Sequence, residues 1–151
     1  MASPNPRIHP MKTVVSSTIG LALLAAVALA APAAKIEPLC PVSGHACDPD
    51  ATAAFEGGKV CFCCEKCVKA FAADSAKFAA KARQQLVATG QMVQKGCPLS
   101  GGPVKAGTEV EVGGVPVGFC CNNCKGKVAK AAADEQVNLV FGSGKGFALA
   151  Q

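Results

Sequence analysis

Apolar and polar positions along this chain fall into two main regimes. From Val14 to Ala34 the chain carries no charge and is rich in Ala, Leu and Val. From Lys35 onward, short β-prone runs alternate with stretches of helical period. Ala51 to Phe55 and Lys59 to Phe62 flank Glu56-Gly57-Gly58 and predict a hairpin. Cys63 to Ala73 predicts a helix, with Cys67, Ala70 and Phe71 on one face. Asp74-Ser75 supplies an N-cap for a second helix, Ala76 to Thr89, which Gly90 ends and whose buried side is Phe78, Ala82 and Leu86. The scheme then recurs. Thr108 to Val112 and Val115 to Phe119 flank Gly113-Gly114, and Asn122 to Ala133 reads as the matching helix. The tail departs: Val137 to Phe141 is apolar and β-prone, and Gly142-Ser143-Gly144 turns the chain toward Phe147-Ala148-Leu149. The predicted class is α+β, with each module a β-hairpin followed by helix.

The recurrence has one fixed offset. Cys40, Cys63, Cys64 and Cys67 return 57 residues later as Cys97, Cys120, Cys121 and Cys124. Cys40-Pro41-Val42-Ser43-Gly44 returns as Cys97-Pro98-Leu99-Ser100-Gly101, and Phe62-Cys63-Cys64 as Phe119-Cys120-Cys121. Self-similarity at a fixed period means one supersecondary unit built twice. The expected modules are 35–95 and 96–151, with no long linker, packed on each other or sharing the long helix.

The N-terminal run lies outside this repeat. A basic start at Met11-Lys12, an apolar stretch and Ala28-Leu29-Ala30 as an A-x-A site read as a secretory signal peptide over 1–34, with Met11 a candidate start. Its weakly hydrophobic, alanine-rich composition favours cleavage over a permanent membrane anchor. The expectation is a periplasmic or secreted protein with no membrane association after cleavage. Removal of 1–34 takes Arg7 and Lys12 and no acid, so the net charge falls from +5 to +3. The basic residues are dispersed, which argues against a nucleic-acid footprint. With His45 the one histidine left, and no Ser-His-Asp set, paired carboxylates or phosphate-cradling glycine loop, an enzyme is not expected.

All ten cysteines lie beyond residue 34, and Trp and Tyr are absent. Modules of about 60 residues bury a small core and generally need staples, either metal or disulfide. A thiol in a loop, a hairpin folding back, and thiols at the mouth of a helix form a zinc-knuckle arrangement. Cys63, Cys64 and Cys67 could all approach Cys40, and Cys120, Cys121 and Cys124 could approach Cys97. Four thiolates suit tetrahedral Zn(2+), and three suit a soft ion such as Cu(+). The positive end of the helix favours ionised thiols.

The pattern C-P-x-x-G followed by F-C-x-x-x-C, once per module, resembles the YHS/TRASH family of small metal-associated domains. Phe71-Ala72-Ala73-Asp74-x-x-Lys77-Phe78 is similar to that family's segment after the knuckle. The resemblance implies treble-clef-like modules and heavy-metal binding, sensing or trafficking. By position it implies the ligands Cys40, Cys63 and Cys67, then Cys97, Cys120 and Cys124. The Tyr-His-Ser tripeptide is absent, and Ser43 and Ser100 stand where related knuckles carry a second cysteine. A four-thiolate site therefore requires Cys64 and Cys121 to turn inward; otherwise each site has three cysteines and an open position.

Cys47 and Cys61 correspond to Val104 and Gly118, so both are confined to the first module. Their joint occurrence predicts contact and, in an exported protein, a Cys47–Cys61 disulfide. His45 is expected to be a solvated loop residue rather than a ligand. The functional expectation is an exported metal-binding protein with two cysteine-thiolate sites for zinc or copper, serving structure or metal trafficking and buffering. Its partners would be the metal ion and an envelope metal-handling protein. The alternatives are a disulfide-stapled interaction module without metal, with Cys40–Cys63 and Cys97–Cys120 as bonds, and a C-x-x-C thiol oxidoreductase built on Cys64/Cys67 and Cys121/Cys124.

Overall fold

The computed structural model describes residues 37–151; the predicted leader lies outside them. Ten elements follow in order: β1 (Asp48–Phe55), β2 (Gly58–Phe62), α1 (Glu65–Ala73), α2 (Ser75–Ala88), β3 (Met92–Gln94), β4 (Val110–Val112), β5 (Val115–Val117), α3 (Asn122–Ala129), α4 (Ala133–Phe141) and β6 (Phe147–Leu149). The protein is mixed α+β, and each half runs loop, hairpin, helix, helix, short strand.

Both predicted hairpins form, joined by two-residue turns. Glu56 and Gly57 have φ of 48° and 81°, and Gly113 and Gly114 have 55° and 82°. Positive φ at both central residues matches the right-handed twist of the paired strands. The β1–β2 ladder pairs Phe55 with Gly58 and Ala53 with Val60, and is irregular between Asp48 and Thr52. The shorter β4–β5 ladder pairs Val112 with Val115 and Val110 with Val117.

The first helix begins at Glu65 rather than Cys63, because Cys64 is extended (φ −171°, ψ 165°) at the N-cap. Asp74 caps α2 as expected, its Oδ1 accepting from Lys77 N at 3.2 Å, and Gly90 turns the chain beyond it at φ 73°. The C-terminal region corrects the sequence reading. Residues 137–141 are helical, not extended, and belong to α4, while the helix expected over 122–133 ends at Ala129. Asp134 and Glu135 occupy the first turn of α4, where the helix dipole favours acids. Val137, Val140 and Phe141 then recur at helical spacing and are all buried. Burial of that face outweighs the β preference of valine.

Two apolar clusters make up the core. Val60, Phe62, Phe71, Ala82 and Leu86 pack with Cys40 in the first. Val112, Val115, Val117, Phe119, Val128, Val140 and Phe141 pack with Cys97 in the second. The helix α2 is shared, since Ala82 and Leu86 serve the first cluster and Ala80 the second. The expected inner side of α2 holds for Ala82 and Leu86, whereas Phe78 is only half-buried. Further ties join the halves. β3 pairs antiparallel with β6. Arg83 on α2 bonds Glu56 at the first hairpin turn through Nε at 2.8 Å, and donates to Phe141 O at 3.0 Å and Gly142 O at the end of α4. A guanidinium at that position satisfies carbonyls the helix leaves unpaired.

Candidate metal centre

Each cysteine loop closes on itself the same way. Cys40 N donates to His45 O and Gly44 N to Cys40 O, both at 2.8 Å; Cys97 N donates to Gly102 O at 2.8 Å and Gly101 N to Cys97 O at 2.7 Å. Gly44 and Gly101 take φ of 77° and 81°, which tightens the loop at a conformation costly for other residues. The loop points Cys40 and Cys97 inward, at 1% and 0% exposure. Phe62 at the end of β2 and Phe119, two residues beyond β5, are buried, and Cys63 and Cys120 follow directly after them. One turn of α1 or α3 then brings Cys67 or Cys124 back to the same point.

The sulfurs of Cys40, Cys63 and Cys67 all lie within 4.8 Å of one another, as do those of Cys97, Cys120 and Cys124. Cys63 and Cys67 Sγ are 3.6 Å apart, and Cys120 and Cys124 Sγ 3.7 Å. Thiolates bound at about 2.3 Å to one ion lie roughly 3.8–4.0 Å apart. A disulfide needs about 2.05 Å. The triads thus have the dimensions of sulfur cages for a single ion, and an all-sulfur donor set suits a soft or borderline metal.

Cys64 and Cys121 stand beside the triads, at 3.8 Å and 3.7 Å from Cys63 and Cys120 Sγ. Cys64 is exposed and Cys121 half-buried. Neither belongs to the three-sulfur groups, although Cys67 and Cys124 are also hydrogen-bonding neighbours of Cys64 and Cys121. Ser43 and Ser100, three residues beyond Cys40 and Cys97, each approach a neighbouring sulfur. Their hydroxyls lie 3.2 Å from Cys63 Sγ and 3.1 Å from Cys120 Sγ.

All ten cysteines are free thiols. The predicted Cys47–Cys61 disulfide is therefore not formed in this structure, although the two thiols are close enough for Cys61 to influence Cys47. Burial, then the nearby Cys61 thiol, raise the Cys47 pKa, which keeps it a thiol and a poor partner for exchange. Cys40–Cys63 and Cys97–Cys120 are likewise unbonded. His45 is exposed in its loop and outside the triad.

Two glutamines escaped the sequence reading. Gln85, at 4% exposure, donates from Nε2 to Leu39 O at 2.8 Å and Cys61 O at 2.9 Å, and accepts from Cys61 N at 2.8 Å. Gln94 donates to Gly96 O at 2.9 Å and Gly118 O at 2.6 Å, and accepts from Gly118 N at 2.9 Å. Leu39 and Cys61 are the repeat partners of Gly96 and Gly118, so the same backbone clamp is made twice. The clamping residues come from α2 and β3 and do not share the offset, and no signal in the repeat finds them. Each amide ties the residue before the loop cysteine to the segment that leads into the other thiols. Gln85→Leu should remove the partner of three backbone groups, at about 1–3 kcal/mol for each that stays unsatisfied. Metal affinity should fall about ten- to a hundredfold at the first triad, with the second unchanged, measured by competitive chelation.

The thiols of a triad do not ionise alike. Burial opposes ionisation of Cys40, but hydrogen bonds from the Ser43 hydroxyl and from backbone of Ser43, Cys63 and Val42 outweigh it and lower the pKa from 9.0 to about 7. The same balance, with Ser100, lowers Cys97 to about 6. Cys67 is raised to about 12, first by its hydrogen bond with Cys63 and then by burial. Cys124 is raised to about 12, first by burial. The depressed thiols stabilise the fold above the unfolded value near 9, and that contribution fades as pH falls through 7 and 6. The raised thiols stabilise below 9, and lose their contribution as pH rises toward 12. Reduced, metal-free protein should therefore be most stable near pH 9 and weaken on either side. Denaturant midpoints across about pH 6 to 11 test this, and a midpoint that rises steadily on acidification contradicts it.

Comparison with protein-family models, curated proteins and solved structures returned no match to this chain. The class rests on the site itself: a mixed α+β protein with two repeated cysteine triads positioned to hold a metal ion.

Proposed function

We propose that this is an exported metal-binding protein that carries or buffers copper or zinc in the cell envelope through two treble-clef-like, YHS/TRASH-like modules. The observation that carries the reading is the three-sulfur cage formed twice from equivalent residues. Three donors with a fourth thiol outside leave a coordination position open, which suits an ion that is to be handed on. A purely structural zinc site ordinarily closes with four protein ligands. Catalysis forms no part of this reading, because the chemistry concentrated in the repeat is ligation. Export follows from the N-terminal pattern, and an envelope metal-handling protein is the natural exchange partner.

Elemental analysis and a free-thiol count on mature protein from its native compartment test the proposal together. About two ions per chain with few disulfides supports it and identifies the metal. Absence of metal with most thiols oxidised overturns it in favour of a disulfide-stapled scaffold. An intact N-terminus by mass spectrometry would remove the export component.

A further inference from the structure

Cys64 and Cys121 are the repeated cysteines that neither triad includes, and three features of their placement bear on a role. The first is reach. Each lies as close to one triad sulfur (3.8 Å and 3.7 Å) as the triad sulfurs lie to each other (3.6 Å and 3.7 Å). An ion held by Cys64 can thus be shared with Cys63 while the backbone stays in place. The second is access. Cys40 and Cys97 are sealed in the core, whereas Cys64 faces solvent and Cys121 partly does, so an incoming ligand meets them at the edge of the cage. The third is backbone context. Both occupy a helix N-cap in extended conformation, and neither side chain makes a capping hydrogen bond. Ser, Thr, Asp or Asn would start the helix better, so helix initiation does not account for a thiol at this position in both halves.

We infer that Cys64 and Cys121 are transfer thiols, which take a thiol-bound soft ion from a carrier at the surface and pass it to the buried triad. The inference rests on the metal-carriage reading above. The cargo class is a cuprous ion ligated by thiolates, and the partner class is a low-molecular-weight or protein thiol. In the first exchange a bond from the ion to Cys64 Sγ forms and one bond from the ion to the carrier sulfur breaks. The proton leaving Cys64 goes to the departing carrier thiolate, and the ion keeps its oxidation state. Cys63, Cys67 and Cys40 then bind the ion as its remaining bond to carrier sulfur breaks and, last, its bond to Cys64. Of the protons these three thiols lose, one goes to the departing carrier thiolate, one returns to Cys64, and any other passes to solvent. Release to an acceptor thiol runs the same steps in reverse.

The test is stopped-flow loading of reduced, metal-free full-length protein with cuprous ion supplied as its glutathione complex, alongside equilibrium competition with a chromophoric cuprous chelator. C64S/C121S should still bind two ions with affinity within about threefold of the parent, and load at least about tenfold more slowly. C64S alone should load in two phases of equal amplitude, the fast one set by the untouched second site. That internal comparison separates a transfer defect from a folding defect, which would lower the total bound. Equal loading rates in parent and double variant overturn the transfer role. A proportionate loss of equilibrium affinity also overturns it, by making these thiols permanent ligands. Failure of the parent to bind cuprous ion at all overturns the carriage reading itself, and is distinguished by the parent titration alone.

Discussion

Changing Cys40 to serine is expected to leave the chain with one tightly bound metal ion instead of two, and Cys97→Ser should do the same at the other site. These are the most buried sulfurs of their triads, and each closes a cage whose other members come from a single strand-to-helix junction. A neutral hydroxyl is a weak donor to a soft ion. The remaining pair, Cys63 and Cys67 or Cys120 and Cys124, supplies only two sulfurs. The affinity loss should exceed the ten- to hundredfold that removal of an outer-shell partner typically causes. The double variant should bind no ion tightly. Elemental analysis after desalting distinguishes the cases, and retention of two ions by Cys40→Ser would show that these sulfurs are not the ligands. Because ligand loss at one site leaves the other intact, each single variant controls for global unfolding.

Phe119→Ala should cost about 3–5 kcal/mol in the metal-free protein, a large part of the total stability of roughly 5–15 kcal/mol for a domain. The ring is fully buried in the second cluster. The backbone of Phe119 is fastened to buried Thr108, whose Oγ1 accepts from Phe119 N at 3.0 Å. The next residue is Cys120, so a cavity here loosens both the core and the delivery of a triad sulfur. Metal should offset much of the loss, since binding free energy at thiolate sites feeds directly into folding. Chemical denaturation with and without metal measures both effects. A midpoint that shifts equally in the two conditions would separate the core from the site, contrary to this coupling.

The part of the site legible in the sequence was the part carried by local chemistry. The 57-residue offset marks both cysteine sets, the turn glycines mark both hairpins, and Asp74 marks the start of α2. These features depend on a few neighbouring residues, so a linear reading finds them. The choice between three and four sulfurs was not legible. It turns on where Cys64 and Cys121 sit at the helix entrance, and a linear reading did not find that both are extended N-cap residues. The reading of 137–141 failed for a related reason: valine and phenylalanine favour strands in isolation, and only the packing of Val137, Val140 and Phe141 into the second cluster makes the helix the better solution.

The sequence by itself determined that one sulfur-bearing unit occurs twice, which thiols are equivalent, and where each hairpin turns. Tertiary structure alone chose the shared helix α2 between the two expected arrangements of the modules, and made one clamp of Gln85 and Gln94 from unrelated positions. The physical reason is range. Turn and cap preferences are settled within a few residues, whereas a buried carbonyl takes its partner from whatever chain the fold brings near.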